Sequence, residues 1–259
     1  MLHKTRGIVI NYIRYRETSI ITKIYTEKFG VQSFIENGVR SSKGKNKIAL
    51  FQPLSLLDLV VYHDEKKEIH RISEIKSGFP FRTLPYDIYK SSIGMFLNEI
   101  LNKTLKEHSE NTILFDFLHH SLVFLDETEE HFENFHLIFL LKYAFFLGFS
   151  PQDANEIATQ FRDFNVNIPF DNDYQKLMNQ LILADYQTPI LMHRGVRNHL
   201  LEVIIYFYRL HVEEFGEIKS LQVLREVLSW KAPSQPPPMA TVSTSRSNSF
   251  SSFFQGGVP

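Results

Sequence analysis

Hydrophobic periodicity changes once along this chain, at the proline-bounded segment Phe79–Pro85 (FPFRTLP). Before it, β-branched and aromatic residues gather in short runs, some of them alternating face by face. After it, apolar residues recur at every third and fourth position. A chain with that switch builds a β-rich unit first and a helical unit second. The two prolines end the first pattern and mark the connection.

The β-rich part reads as five strands: Arg6–Tyr15, Thr18–Thr26, Val31–Glu36, Leu54–His63 and Ile69–Lys76. Phe29-Gly30 is a turn signal, and Asp64-Glu65-Lys66-Lys67 is a polar hairpin turn. Five short strands in so few residues favour a closed barrel, which leaves no unpaired sheet edge. Between the third and fourth strands lies Gly38–Lys47, which carries Arg40, Lys43, Lys45 and Lys47 and no acidic residue. Its Gly and Ser content argues for a loop.

From Tyr86 the helical period takes over. Ile93, Phe96, Leu97, Ile100, Leu101 and Leu105 share one face. Asn111 is placed to cap a second helix running to about Leu125. A third is expected from Glu129 to Leu147, ended by Gly148, with Ser150 and Pro151 opening a fourth. Residues 162–172 read as loop. Helices are then expected over Asp173–Ala184, Gly195–Phe215 and Ile218–Leu228. The Pro/Ser-rich stretch 230–259 has too little apolar surface to order itself. The expected organisation is therefore a barrel over 1–80, an all-α domain over 81–229 and a disordered tail over 230–259, an α+β protein.

Charge divides along the same boundary. Residues 1–82 carry 15 Lys and Arg against 8 Asp and Glu, a net of +7, and residues 83–259 carry 13 against 21, a net of −8. A basic unit joined to an acidic one points to a polyanionic partner for the former, nucleic acid first among them.

Signatures of catalysis are lacking. There is no G-x-S-x-G, Walker A or G-x-G-x-x-G motif. With no cysteine the chain has no disulfide, thiolate nucleophile or thiolate zinc site. None of the 11 histidines has the spacing of a zinc-protease helix, and they read as surface or half-buried residues. The run Asp126-Glu127-Thr128-Glu129-Glu130 reads as a solvated loop and helix start. No cofactor and no metal are expected. The N-terminus lacks a signal-peptide pattern, and the apolar run Phe135–Phe149 is too short to span a bilayer, so a soluble cytoplasmic protein is expected.

The basic elements are more informative. Arg14-Tyr15-Arg16 falls in the first loop, and Arg40, Lys43, Lys45 and Lys47 in the third. Cations that neutralise phosphates, beside an aromatic face on which a base can stack, suit single-stranded nucleic acid. A packed strand-end role for Tyr15 is equally open. An acidic peptide is the competing ligand for such a barrel, with Arg194 and Arg197 as further partners, although solvated helix positions also account for those two.

Several of these residues carry a family resemblance. Gly7-Ile8-Val9-Ile10 with Tyr15-Arg16-Glu17-Thr18-Ser19-Ile20, then Phe29-Gly30, Asn37–Lys43 and Gln52-Pro53-Leu54, resemble the RecO family of bacterial recombination mediators. Lys219-Ser220 and the helix after it are similar to the family's last helix. The resemblance implies an oligonucleotide-binding (OB) fold barrel packed on a helical domain. It implies binding of single- and double-stranded DNA, annealing of complementary strands, and help in loading RecA together with RecR and the acidic tail of single-strand-binding protein. It also implies a nucleoid-associated location and no covalent chemistry. One departure stands out. Many members carry a four-cysteine zinc module after a Leu-Gly-x-x-Pro step. Here Leu147-Gly148-Phe149-Ser150-Pro151 is followed by no cysteine through Asp173, so packing by Phe161, Phe164 and Phe170 is expected to take the metal's place.

Overall fold

β-branched and aromatic residues at alternate positions form five strands, as the pattern requires. In the computed structural model, which describes residues 1–40 and 47–228, these are β1 (Leu2–Tyr15), β2 (Ser19–Thr26), β3 (Gly30–Glu36), β4 (Leu56–Tyr62) and β5 (Ile69–Phe79). They close into a barrel in the order β1-β2-β3-β5-β4, with β3 and β5 parallel and every other pair antiparallel. β1 begins four residues before the expected Arg6 because its first half pairs with β4, from Leu2 opposite Tyr62 to Ile8 opposite Leu56. Val9, Ile24, Phe34, Leu57, Leu59 and Val61 fill the interior. Ile20, Val39 and Phe51 plug one mouth, Phe51 coming from a short 3-10 turn, Ile48–Phe51.

Among the described residues seven helices follow: α1 (Ile88–Thr104), α2 (Thr112–Glu127), α3 (Phe135–Phe146), α4 (Ala154–Asp163), α5 (Asn172–Leu183), α6 (Arg194–His211) and α7 (Ser220–Val227). Asn111 caps α2 as expected, its side chain accepting from the Leu114 N–H at 3.0 Å. Gly148, at φ +84°, ends α3. Three helix boundaries differ from the sequence reading by three residues or more. α3 starts at Phe135, not Glu129. α4 is capped by Asp153, whose carboxylate accepts from the Glu156 N–H at 2.9 Å, so Ser150-Pro151 lies outside it. α6 stops at His211, and Phe215 turns inward to a buried site.

Barrel and helices share one core. Ile8, Ile10, Tyr25, Val31, Leu54 and Leu56 of the barrel pack with residues of all seven helices. Arg6 pins the contact: it pairs with Glu27 at 2.8 Å and with Asp116 of α2 at 2.7 Å, and lies 4.8 Å above the Phe115 ring. Gly30 sets how closely the two parts approach. It sits at φ +61°, a Cβ there would overlap the Glu107 carbonyl oxygen, and it would lie 2.8 Å from the Ser109 backbone nitrogen. Gly30→Ala is therefore expected to lower stability by more than about 2 kcal/mol, through left-handed strain plus a backbone clash. A urea titration of the two proteins checks it.

The cysteine-free segment is held partly as expected. Phe161 is buried and meets Phe170, ring centroids 6.3 Å apart. Asn179 of α5 accepts from the Ala154 N–H at 2.7 Å. Phe164 does not contribute: it is 63% exposed, because the chain leaves α4 at that residue.

Candidate functional site: a cationic rim on the barrel

The register explains which basic side chains share a surface. Val9 pairs with Ile24 and Asn11 with Lys23, so Ile10 is an extra residue in β1. This bulge resets the alternation. Tyr12 and Arg14 then fall on the interior side, opposite Thr22 and Ile20, while Asn11, Ile13 and Tyr15 point outward. Arg14 stands at the end of the barrel and is exposed at its mouth. Arg16 follows in the β1–β2 turn, with φ at +50°, a left-handed conformation rare for a bulky side chain. Its guanidinium lies 5.2 Å from the Tyr15 ring centroid.

The segment after β3 docks on that turn. The Arg40 N–H donates to the Thr18 carbonyl at 3.0 Å, and the Arg40 guanidinium donates to the Arg16 carbonyl at 3.4 Å. The Ser19 hydroxyl donates to Asn37 Oδ1 at 2.9 Å, and the buried Val39 anchors the segment in the mouth. Arg14, Arg16 and Arg40 thus belong to one rim of the barrel. None of the three forms an ion pair among the described residues, and the acidic helices do not neutralise them.

Lys47 reaches the same rim in a different state. It pairs with Glu36 at 2.6 Å, and Glu36 lies opposite Ile20, the neighbour of Arg14 across the strands. Glu36 therefore offsets its charge. Glu17 adds one exposed carboxylate to the turn. Lys43 and Lys45 lie outside the described residues, as does the 230–259 tail.

Other candidates change role. Arg197 is not a solvated helix position: its Nε donates to Asn134 Oδ1 at 2.8 Å, and Asn134 donates to the Ile190 carbonyl at 2.8 Å. Asp126 is not part of a solvated loop but is 1% exposed. Its carboxylate accepts from the N–H groups of Arg82, Thr83 and Leu84 at 2.7–3.0 Å, clamping the connection between barrel and helices. Lys90, also buried, donates to the Asp126 and Thr128 carbonyls at 2.9 and 2.5 Å. His136 is fully buried, and neither ring nitrogen has a hydrogen-bond partner among the described residues. His63 and His70 stack at 4.8 Å beside Phe29. Among the described residues no three His, Asp or Glu are placed to share a metal ion, and no helix is long and apolar enough to cross a membrane.

Residues 1–81 match the family described as "Recombination protein O N terminal", and residues 85–222 match "Recombination protein O C terminal". The chain is similar to a protein named DNA repair protein RecO from Phocaeicola vulgatus, 42% identical over 88% of this chain and 100% of that one. Proteins of the same name from Bacteroides fragilis and Flavobacterium johnsoniae are 38% and 36% identical, over 88% and 87% of this chain and 99% of each relative.

Proposed function

The chain belongs to the RecO family of DNA repair proteins, and from that premise we propose that it is a non-enzymatic, cytoplasmic DNA-binding recombination mediator. It binds single- and double-stranded DNA, anneals complementary strands and assists RecA loading with RecR and the tail of single-strand-binding protein. The observation that carries the DNA reading is the docking of Arg40 onto the Arg16 turn. It gathers three arginines, unpaired among the described residues, beside an aromatic ring.

Guanidinium groups at this rim neutralise phosphates and release counterions. Tyr15, backed by Arg16, offers a face for an unstacked base. Contacts to phosphates carry no base information, so binding through these guanidinium groups is expected to be indifferent to sequence. Two strands held by one cationic rim repel each other less, which favours annealing. Lys43 and Lys45 of the same loop are assigned as further contacts. Lys47 is a weaker one, because Glu36 already accepts its charge.

Annealing of complementary oligonucleotides tests the reading. The triple variant Arg14→Ala/Arg16→Ala/Arg40→Ala is expected to bind oligo(dT) at least about tenfold more weakly at low salt and to anneal correspondingly more slowly. Folding should be unchanged, since all three side chains are exposed. Undiminished affinity and annealing rate in the triple variant would move DNA to another surface.

A further inference from the structure

The outer face of the barrel beside this rim is aliphatic along β1, β2 and β3, between Tyr15 at the rim and the exposed Tyr62 beyond Arg71. In OB folds the strand 2–3 face commonly carries oligonucleotides, and such surfaces use aromatic rings for stacking. Here the register sets Ile13 opposite Ile21, Ile21 opposite Ile35, and Ile35 opposite Arg71. The next row outward is Asn11, Lys23, Ser33 and Ile69. Ile13 is 61% exposed and Ile69 44%, with Ile21 and Ile35 half-buried. Four isoleucines with two flanking cations therefore share one face. Neither Lys23 nor Arg71 forms an ion pair among the described residues.

We propose that this face docks an amphipathic helix of a partner protein, whose apolar stripe is bordered by carboxylates. Three points select that occupant. β2 is paired on both sides, and β3 is paired with β2 and, over Ser33–Ile35, with β5, so a partner lying across Ile21 and Ile35 finds no free edge there and binds through side chains. Adjacent strands lie about 4.8 Å apart, so Ile13, Ile21 and Ile35 form a row with that spacing. A helix presents side chains at i, i+3 or i+4, and i+7 with about 5 Å between them, which matches a path across the strands. One further turn puts an acidic side chain over Arg71. A second copy of this chain is the poorer occupant, because it would set Lys23 and Arg71 against the same cations. The inference does not rest on the DNA-binding role of the rim, which uses different side chains.

The probe is a synthetic 18-residue helical peptide with Leu at positions 4, 7 and 11 and Glu at 8, 14 and 15, added to the full chain with 13C-labelled isoleucine methyls. The expected result is shifts of the Ile13, Ile21 and Ile35 methyls, and at least tenfold weaker peptide binding in Ile13→Ser/Ile35→Ser. Lys23→Glu/Arg71→Glu should weaken the Glu peptide and favour a peptide with Lys at those three positions. Oligo(dT) affinity should stay within twofold in Ile13→Ser/Ile35→Ser. Absent shifts, shifts confined to other isoleucines, or unchanged peptide affinity in both variants would overturn the proposal. So would oligo(dT) that shifts these methyls and displaces the peptide, and that outcome would give the face to DNA while leaving a DNA-binding role standing. Loss of DNA binding in the arginine triple variant with peptide binding intact would show the two surfaces to be separate.

Discussion

Asp126→Ala is expected to lower stability by about 3–5 kcal/mol, the cost typical of breaking a buried charged network by removing one partner. The carboxylate satisfies three consecutive backbone N–H groups, those of Arg82, Thr83 and Leu84. Truncation leaves all three without their acceptor, and each buried unsatisfied group costs about 1–3 kcal/mol. It also removes a negative charge that offsets the burial of the Lys90 ammonium. Burial alone would raise the Asp126 carboxyl, but the Leu84, Arg82 and Thr83 donors together with Lys90 hold it below the ordinary carboxylate range. A group so depressed contributes stability above its unfolded pKa and loses it as pH falls through its folded value. Asp126→Asn keeps one acceptor oxygen and should cost less than the alanine. Urea titrations at pH 7 measure both; a loss under about 1 kcal/mol for the alanine contradicts the clamp.

His136→Leu is expected to act in the opposite direction. The imidazole is fully buried, both nitrogens are unpartnered among the described residues, and burial, reinforced by the Arg197 charge, pushes it down to about 3. The folded protein therefore keeps it neutral, whereas the unfolded chain protonates near 6.5. Its cost is small above that value and grows as pH falls from about 6.5 towards about 3, at about 1.4 kcal/mol per pH unit. Between pH 7 and pH 5 this one residue should withdraw about 2 kcal/mol. His63, His70, His119 and His211 are lowered as well, so acid sensitivity has several sources. The diagnostic quantity is the difference between His136→Leu and the parent protein. The variant should be more stable at pH 7, by about 1 kcal/mol for removing an unpaired polar group, and the gap should widen by about 2 kcal/mol at pH 5. A constant gap would show that His136 gains a proton as readily folded as unfolded.

Strand and helix content was legible in the sequence because period-2 and period-3.6 patterns report directly on which face is buried. The rim was half legible. Arg14, Arg16 and Arg40 could be named from composition and turn position, and the family resemblance placed them in a DNA-binding barrel. What decides their geometry is the bulge at Ile10, which turns Arg14 to the mouth and Tyr15 outward, and a single extra residue in an apolar run leaves no compositional mark. Ile13 reaches the isoleucine face through the same bulge, whereas Ile21 and Ile35 follow from plain alternation and only their pairing across β2 and β3 left no mark in the sequence. Asp126 was misread because it sits in an acidic run. Its neighbours Glu127, Glu129 and Glu130 are exposed, and only the returning connection at Arg82–Leu84 distinguishes it. His136 sits in the apolar helix α3, and that run of apolar neighbours was the available signal for its burial.

The salt dependence of oligo(dT) binding tests the cationic rim most directly. Affinity would be measured from about 50 to about 300 mM salt for the parent and for Arg14→Ala/Arg16→Ala/Arg40→Ala. Each phosphate contact contributes about 0.7 to the slope of log affinity against log salt on single strands. Loss of three contacts should therefore flatten the slope by about 2, with the largest affinity difference at the low-salt end. Parallel lines with equal slopes would mean that these arginines do not touch the backbone.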